Sequence, residues 1–263
     1  MTLGILLMTE GSQQGKRRRI YLLRHGDVNY FQDDGTVVPR AGLAGLTEKG
    51  RQQADMVGQT LAEVEFDQAV CSGMPRTRET AERVLRHHPN VSLASHEGLR
   101  EIRAGDLDQL PPERVEAEYV YAFETAIEPG ARFVRGEAFS TFYSRVVKAF
   151  CQLLLSPDWQ TLLVVGHAGT NRAILSWAAY GSLATFPAFE QDLCCVNIVD
   201  VDVHEGEFIR RYIRLVNLSV DNLVKAGVFR TTLEQLDWER SGRGSVRSTS
   251  PLQGAKGSPQ STA

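Results

Sequence analysis

Short apolar runs alternate with amphipathic helical patterns along most of this chain, and this alternation limits the folds that it can adopt. Residues 19–24 (RIYLLR) and 160–166 are rich in leucine and β-branched residues, and each run predicts a buried strand. Residues 47–64 repeat apolar positions at helical spacing behind an N-cap at Thr47, and residues 74–88 begin a second helix with a proline in its first turn. The pattern predicts an α/β fold: a three-layer α/β/α sandwich with a mostly parallel central sheet and helices on both faces.

The other segments between residues 66 and 216 fit the same architecture. The predicted elements are a strand at 66–72, an extended edge run at 91–99, a helix from the proline pair 111–112 to about 126, an amphipathic helix at 138–155, a helix following the strand at 160–166, and an antiparallel pair at 194–203 and 206–216 joined at Glu205–Gly206. In sheets of this kind, ligands bind beyond the carboxyl ends of the strands.

The two ends of the chain differ in composition from the rest. Residues 1–17 predict a flexible leader with a Gly/Ser/Gln-rich centre, and residues 239–263 form a basic tail of Gly, Ser, Pro and Gln. Such a tail cannot bury enough apolar surface to offset the entropy lost on ordering, so we expect it to be disordered. Residues 18–238 are then expected to form the α/β domain.

Charge and cysteine content narrow the class of protein. The formal net charge is −3, which disfavours a nucleic-acid partner, and no apolar run is long enough to suggest a membrane partner. The four cysteines form no C-x-x-C pair, so they indicate reduced thiols in a cytoplasmic protein rather than a metal site. A homodimer is a possible assembly.

Three of the predicted strands end in turns that carry arginine or histidine. These turns hold Arg24 and His25, Arg76, and His167, while a fourth, glycine-containing segment holds Glu101. If the strands are neighbours, the five side chains meet at one edge of the sheet. Two guanidinium groups, two imidazoles and one carboxylate are suited to phosphoryl transfer.

The motifs around these residues resemble those of the histidine phosphatase superfamily, also called the phosphoglycerate mutase-like family. The resemblance covers residues 20–216, most of the predicted domain. It rests on R-H-G at 24–26, L-T-x-x-G-x-x-Q-A at 46–54, S-x-x-x-R-x-x-x-T-A at 72–81, L-x-E-x-x-x-G at 99–105, G-E at 136–137, and V-V-x-H followed by a glycine and an arginine at 164–172. A tripeptide alone is a weak signal, but six segments in the family's order are a specific one.

The resemblance implies a role for each residue. His25 is the nucleophile that becomes phosphohistidine, with its second ring nitrogen held by an acceptor, expected to be a backbone carbonyl. Arg24 and Arg76 bind phosphate oxygens, and His167, expected to be protonated, adds positive charge. Glu101 is the general acid and then the general base. These groups supply the positive charge, so no metal or cofactor is expected.

The sequence also departs from the family pattern at positions that shape the substrate pocket. Asp27 stands where the family usually has Glu or Gln, and Ala168 replaces the first glycine after the second histidine. We assign Asn29 and Ala168 to substrate binding together with Arg24, Arg76 and His167. Tyr30, Phe31, Phe139 and Trp177 are open to either role, as pocket wall or as core.

Residues outside the five are given structural interpretations. Arg172 is predicted to be an ion-pair partner, Arg78 and Arg83 to be surface charges, and His87 and His88 to be solvated near a helix end.

Three functions are compatible with these residues. The first is hydrolysis of a small phosphorylated metabolite through phosphohistidine, and the alternative is an isomerase of the phosphoglycerate mutase kind. A third is a non-catalytic protein that binds phosphorylated ligands, which the presence of all five residues disfavours. The segment after Glu101, I-R-A-G-D, resembles the hydrolases more than the mutases. The sequence does not identify the substrate.

Overall fold

A computed structural model describes residues 15–32, 34–39 and 41–242. Six strands form a single sheet within this part of the chain. The strands are β1 (Lys16–Arg24), β2 (Gln68–Cys71), β3 (Leu93–Ser95), β4 (Thr161–Gly166), β5 (Val196–His204) and β6 (Glu207–Leu218). The α-helices are α1 (Glu48–Thr60), α2 (Pro75–Val84), α3 (Pro112–Val115), α4 (Phe139–Leu155), α5 (Ala168–Ala179) and α6 (Thr232–Arg240). A π-helical turn spans Glu116–Val120, and short 3₁₀ turns lie at Ala41–Leu43, Leu85–His87, Glu97–Leu99, Leu107–Gln109, Phe133–Arg135 and Leu183–Ala188.

The strand order is β3-β2-β4-β1-β5-β6. The pairs β3–β2, β2–β4 and β4–β1 are parallel, and β1–β5 and β5–β6 are antiparallel. The predicted mostly parallel sheet is therefore confirmed, with an antiparallel pair at one edge. That pair turns at Glu205 and Gly206, whose φ angles of 49° and 84° suit the tight turn of a β-hairpin.

Helices cover both faces of the sheet, as predicted. Side chains alternate along β1, so Ile20 and Leu22 pack with the buried side chains of α4 and α5. Leu23 points to the opposite face and packs with the apolar side chains of α1 and α2. Because both faces are covered, β4 and the second half of β1, residues 20–24, are largely buried, and polar groups that follow them must be held by hydrogen bonds.

The first turn of α1 fixes the loop that follows β1. Thr47 is the N-cap, accepts a hydrogen bond from the Gly50 N–H at 3.0 Å, and donates its own hydroxyl to the Asp27 carboxylate at 2.6 Å. Gln53 Oε1 accepts from the Asp27 N–H at 3.0 Å. A Cβ on Gly50 would lie 2.3 Å from the Asp27 carbonyl oxygen, and a Cβ on Gly26 would lie 2.5 Å from that of Gly50. The L-T-x-x-G-x-x-Q motif therefore holds a close approach between helix and loop.

The helix predicted from the proline pair to about residue 126 is wrong in its extent. Only Pro112–Val115 is α-helical; the Tyr121 N–H then bonds to the Glu116 carbonyl five residues back, and later amides bond three residues back. Val115, Tyr119 and Phe123 are nevertheless buried at helical spacing. The apolar pattern set which side chains face the core, but it did not fix the hydrogen-bonding ladder.

Further differences lie near the helix ends. His88 is buried against the Phe66 ring, with 4.9 Å between centroids, so the prediction that it is solvated is wrong. Helix α6 was not predicted, although Thr231 and Glu234 form a capping box whose spacing is visible in the sequence. Strand β1 begins at Lys16 and α6 ends at Arg240; the rest of the leader before residue 15 and the tail after residue 242 lie outside the described residues. Within the described ranges, no helix has the length and apolar character needed to cross a bilayer.

The contact between Gly50 and Asp27 can be tested by adding one methyl group. We expect Gly50→Ala to lower the free energy of unfolding by about 1–3 kcal/mol, because the backbone of the loop must move to admit a Cβ. Gly58→Ala is the matched control in the same helix, since its Cβ would lie no closer than 3.2 Å to the neighbouring His87 and Val84. Urea unfolding of both variants measures the difference, and equal effects would contradict this account of the motif.

Candidate active site

Two neighbouring parallel strands bring the two predicted histidines together. Strands β1 and β4 pair in register, with Arg24 opposite Gly166, so His25 and His167 both follow the same edge of the sheet. The His25 N–H donates to the Gly166 carbonyl at 3.1 Å. The two imidazole rings lie 5.3 Å apart between centroids and are inclined by 67°.

His25 has the environment of a neutral nucleophile. Its Nδ1 lies 2.8 Å from the Gly26 carbonyl oxygen, so Nδ1 carries the hydrogen and donates it there. This geometry matches the expected backbone acceptor. Nε2 is left with its lone pair and lies 3.4 Å from the Tyr30 hydroxyl. Burial, followed by the positive charges of Arg76 and Arg24, lowers the pKa of His25 well below its ordinary value.

His167 is at the N-cap of α5 and is fully buried. Its Nε2 lies 2.8 Å from the Ser72 hydroxyl, which in turn lies 2.9 Å from the Thr77 hydroxyl. Burial first, and then the charge of Arg76, lower the pKa of His167 well below its ordinary value. In the protein without a bound anion, the protonated form of His167 is therefore disfavoured, because a buried cation beside two arginines is unfavourable. The expected protonation of His167 concerned the site with a phosphate in place, and it stays a prediction.

Arg24 and Arg76 are buried cations that have no carboxylate partner among the described residues. Arg24 Nη1 donates to the Gln191 carbonyl at 2.6 Å and to the Thr232 hydroxyl at 3.0 Å. Arg76 Nη1 donates to the Gly42 carbonyl at 3.3 Å. The Nε of each arginine is buried with no hydrogen-bond partner in the described part of the chain, and so is Nδ1 of His167.

Arg172 differs from Arg24 and Arg76, because it is a buried arginine that has a carboxylate partner. Arg172 is equally buried, but its Nη2 lies 2.6 Å from the Glu190 carboxylate, which confirms the predicted ion pair. Buried charges in proteins are normally paired in this way, because an unpaired charge loses its hydration without compensation. Arg24 and Arg76 lack such partners and line the same cavity, which makes them candidates for binding an anion from solution.

Glu101 is held at the start of α5. One carboxylate oxygen accepts from the Ile102 N–H and the other from the Gly169 N–H, each at 2.9 Å. A Cβ on Gly169 would lie 2.4 Å from the Glu101 carboxylate, so glycine at this position allows the approach. Two backbone donors from different segments thus fix the orientation of this carboxylate.

The loop that carries Glu101 is braced from α4. Arg145 donates to the carbonyl oxygens of Gly98 and Arg100 at 3.0 and 2.9 Å. Glu137, which is nearly inaccessible, accepts from Arg145 at 2.9 Å and from the Arg103 N–H at 3.0 Å. Burial alone would raise the pKa of Glu137, but these hydrogen bonds lower it overall. The G-E motif therefore positions the loop.

A cavity of about 320 Å³ opens beside the cluster. Arg24, His25, Arg76, Glu101 and Ala168 all line it, and His167 lies behind them at the buried end. The structure thus brings together six of the seven predicted site residues, namely Arg24, His25, Arg76, Glu101, His167 and Ala168.

Asn29, the seventh predicted site residue, is not part of this cluster. It is exposed, its Oδ1 accepts from the Phe31 N–H at 3.3 Å, and it does not line the cavity. The local turn after β1 directs its side chain away from His25. The aromatic residues divide as well: Tyr30 and Phe31 line the cavity, whereas Phe139 and Trp177 belong to the core.

Several residues that shape the site had not been assigned a role. Ser72 is the first residue of the S-x-x-x-R-x-x-x-T-A motif. Its contact with His167 depends on the pairing of β2 with β4, so the sequence alone does not reveal it. Thr232 bonds to Arg24 from a helix about 200 residues further along the chain. Gln191 contributes a carbonyl from a segment without regular structure. Within the described ranges, no cluster of histidine, cysteine and acidic side chains has the arrangement of a metal site.

Comparisons with known proteins agree with this geometry. The chain is 30% identical to an adenosylcobalamin/alpha-ribazole phosphatase of Salmonella typhimurium over 199 residues, which cover 70% of this chain and 90% of that one. It is also 30% identical to a probable phosphoglycerate mutase of Erwinia tasmaniensis over 152 residues, which cover 57% and 69% of the two chains.

Solved structures share the fold. The alpha-ribazole phosphatase from Shigella flexneri aligns with a TM-score of 0.60 at 24% identity, covering 76% of this chain and 96% of that one. A mycobacterial glucosyl-3-phosphoglycerate phosphatase aligns with a TM-score of 0.61 at 22% identity, covering 76% and 99%. The family model of the histidine phosphatase superfamily, branch 1, matches residues 20–214. The sheet, the paired histidines and these matches lead to one conclusion: the chain belongs to the histidine phosphatase superfamily.

Proposed function

We propose that this protein hydrolyses phosphomonoesters through a phosphohistidine formed on His25. The observation that carries the proposal is the pair of buried arginines, Arg24 and Arg76, that have no carboxylate partner and flank an imidazole whose Nδ1 is committed to the Gly26 carbonyl. A phosphoryl group would complete the hydrogen bonding of both guanidinium groups. It would also lie within reach of the free lone pair on Nε2.

In the first step, Nε2 of His25 attacks phosphorus and the bond from phosphorus to the ester oxygen breaks. Arg24 and Arg76 neutralise the charge on the other phosphate oxygens, and the leaving alkoxide takes a proton from Glu101. The negative charge of the bound phosphate favours the protonated form of His167, which then adds positive charge to the site. The products are the free alcohol and phosphohistidine.

In the second step, the ionised Glu101 takes a proton from water, and the resulting hydroxide attacks phosphorus. The bond from phosphorus to Nε2 breaks, releasing inorganic phosphate and restoring neutral His25. Glu101 is suited to both steps because its two backbone hydrogen bonds, to Ile102 and Gly169, keep it in one place while its proton is exchanged. All the protons in the cycle are supplied by this carboxyl group and by water.

A mutase is the second candidate, because one of the relatives is named as a probable phosphoglycerate mutase. The two activities differ in the fate of the phosphohistidine, which passes to water in a hydrolase and to a second hydroxyl of the substrate in a mutase. Release of phosphate without an acceptor or a bisphosphorylated primer separates them. We place the reaction in the cytoplasm, which is supported by four cysteines that form no disulfide.

Replacement of the nucleophile should abolish turnover. We expect His25→Ala to lower kcat by about 10⁴-fold or more while the melting temperature shows a folded protein. In wild type, quenching with a labelled substrate should trap acid-labile phosphate that maps to His25. A phosphate that maps to His167 would reverse the assignment.

The role of Glu101 can be separated from binding by varying the leaving group. We expect Glu101→Gln to slow transfer from an alkyl phosphate about 10²- to 10⁴-fold, since an alkoxide leaves poorly without a proton. The burst of p-nitrophenolate from p-nitrophenyl phosphate in a single turnover should slow much less. Asp106→Asn, another carboxylate of the cavity, is the matched control and should not discriminate between the two esters. Equal slowing of both esters in Glu101→Gln would show that this residue does not donate the proton.

The buried histidines should make stability depend on pH. Their folded-state pKa values are lowered, so the unfolded chain takes up protons below about pH 6.5 that the folded protein does not. Stability is therefore fully present above pH 6.5 and is lost as the pH falls, by up to about 2.7 kcal/mol per pH unit for the two groups together. Urea unfolding between pH 7.5 and 5 should show this slope, and a His25→Asn/His167→Asn double variant should show a flatter one. An unchanged slope in the double variant would contradict the neutral state of both rings.

A further inference from the structure

Apart from Arg24, His25, Arg76 and Glu101, most of the side chains that line the cavity beside His25 are apolar or aromatic, and they form an apolar wall. The wall comes from the turn after β1, from the segment that follows Glu101, from the turns after α3, and from α6. Its apolar members are Tyr30, Phe31, Val37, Ile102, Leu107, Tyr119, Phe123, Phe133, Leu233 and Leu236. This is the space that the alcohol part of a bound phosphomonoester would enter, because the phosphate end is fixed by Arg24 and Arg76.

The charged residues around the cavity would not bind a second anionic group on the substrate. Among the residues described, the cavity carries no lysine or arginine beyond Arg24 and Arg76. Beyond the catalytic cluster, its charged residues are Asp106 and Asp108, both carboxylates. A carboxylate or second phosphate on the substrate would therefore lose its hydration without gaining a cation, and would face like charges.

The N-terminus of α6, which borders the cavity at Thr232, does not supply an anion site either. The Thr231 N–H donates to the Glu234 carboxylate at 2.7 Å, and the Thr232 N–H donates to the Glu190 carboxylate at 3.1 Å. The Glu234 N–H donates back to the Thr231 hydroxyl. These amides are already satisfied within the protein, so they do not recruit a charged substrate group.

We infer that the substrate is a phosphomonoester of a hydrophobic alcohol, either an aromatic ring or a short aliphatic chain, without a second anionic group. This inference rests on the proposed function and names its substrate class. A volume of about 320 Å³ is at the lower end of the usual range for ligand pockets, so the cavity suits one ring or a short chain. Burial of that group supplies the binding energy that holds the ester bond at His25.

A second groove offers the competing arrangement. This outer groove shares Arg76 and Glu101 with the cavity and is bordered by three further arginines, Arg100, Arg103 and Arg145. Arg100 pairs with Glu97 at 2.6 Å, and both Arg103 and Arg145 pair with Glu137, at 3.5 and 2.9 Å. Their charges are largely compensated, and for this reason the apolar cavity is the better site for the alcohol.

The test compares n-alkyl phosphates, whose alcohols differ little in acidity and so make the same demand on Glu101. We expect kcat/KM to rise about three- to fourfold per methylene, and roughly tenfold from butyl to hexyl phosphate, until the cavity is filled. Glycerol 3-phosphate and 3-phosphoglycerate should fall at least tenfold below butyl phosphate. Rates that are flat across the series, or higher for the anionic esters, would overturn the inference.

Two variants in α6 test whether the preference for a hydrophobic alcohol arises at the wall of the cavity. Leu236→Arg puts a cation into the half-buried wall and should lower kcat/KM for hexyl phosphate about tenfold relative to 3-phosphoglycerate. Gln235→Arg adds the same charge to the same helix at an exposed position that does not line the cavity, and should leave that ratio unchanged. An equal change in both variants would show a general charge effect and count against the inference.

The outcomes separate this inference from the proposed function. If no ester, including p-nitrophenyl phosphate, releases phosphate in a manner that requires His25, the proposed function fails. If phosphate is released but 3-phosphoglycerate is preferred, and that preference disappears in Arg100→Ala or Arg103→Ala, the outer groove binds the substrate and this inference fails alone.

Discussion

Two buried guanidinium groups without carboxylate partners are the constraint on which the site depends. Other buried charges in the described part of the protein have ionic partners, as Arg172 has in Glu190 and Asp200 has in Arg19 and Arg214. Arg18 is a further buried arginine without a carboxylate, but it donates to the Ser156 carbonyl and lies over the Trp159 ring. Leaving Arg24 and Arg76 without carboxylate partners costs stability, and under the proposed function a bound phosphate would offset that cost. Burial, followed by the charges of the two arginines, lowers the pKa of both His25 and His167 well below its ordinary value in the free protein.

The fold holds this arrangement in place by close backbone contacts and by one ion pair, Glu137 with Arg145. The parallel register of β1 with β4 sets the spacing of the two histidines, and the Gly26–Gly50 approach fixes the loop beyond His25. A second brace, from Glu137 and Arg145, holds the loop of Glu101. Several family motifs are thus explained by positioning, since their residues contact the loops and not the cavity.

The two ends of the cavity are built from different parts of the chain. The phosphate end comes from strand ends and from the first turns of α2 and α5, which carry the family's motifs. The apolar wall comes from the turn after β1, the turns around Tyr119 and Phe133, and α6, which lie outside those motifs, and from Ile102 and Leu107 in and after the motif of Glu101. The motif residues and the apolar wall are thus built largely from separate parts of the chain, so one can change in sequence without the other.

The sequence by itself determined the α/β architecture and the set of polar side chains at the candidate site. Alternating strand and helix patterns predicted the sheet with helices on both faces, and the motifs supplied Arg24, His25, Arg76, Glu101 and His167, because local hydrophobic period and residue type are written directly in the chain. The helix predicted after Pro112 was too long, because the spacing of apolar residues does not distinguish α-helical from π-helical or 3₁₀ hydrogen bonding.

Only the tertiary structure decided how those groups behave. The neutral state of His167 depends on burial and on Arg76, which lies 91 residues earlier in the chain, and the exposed place of Asn29 depends on the course of one turn. The apolar wall of the cavity combines segments that are separated by up to about 200 residues. The physical reason is that pKa values, charge pairing and pocket shape arise from groups that are close in space, and the sequence records neighbours along the chain alone.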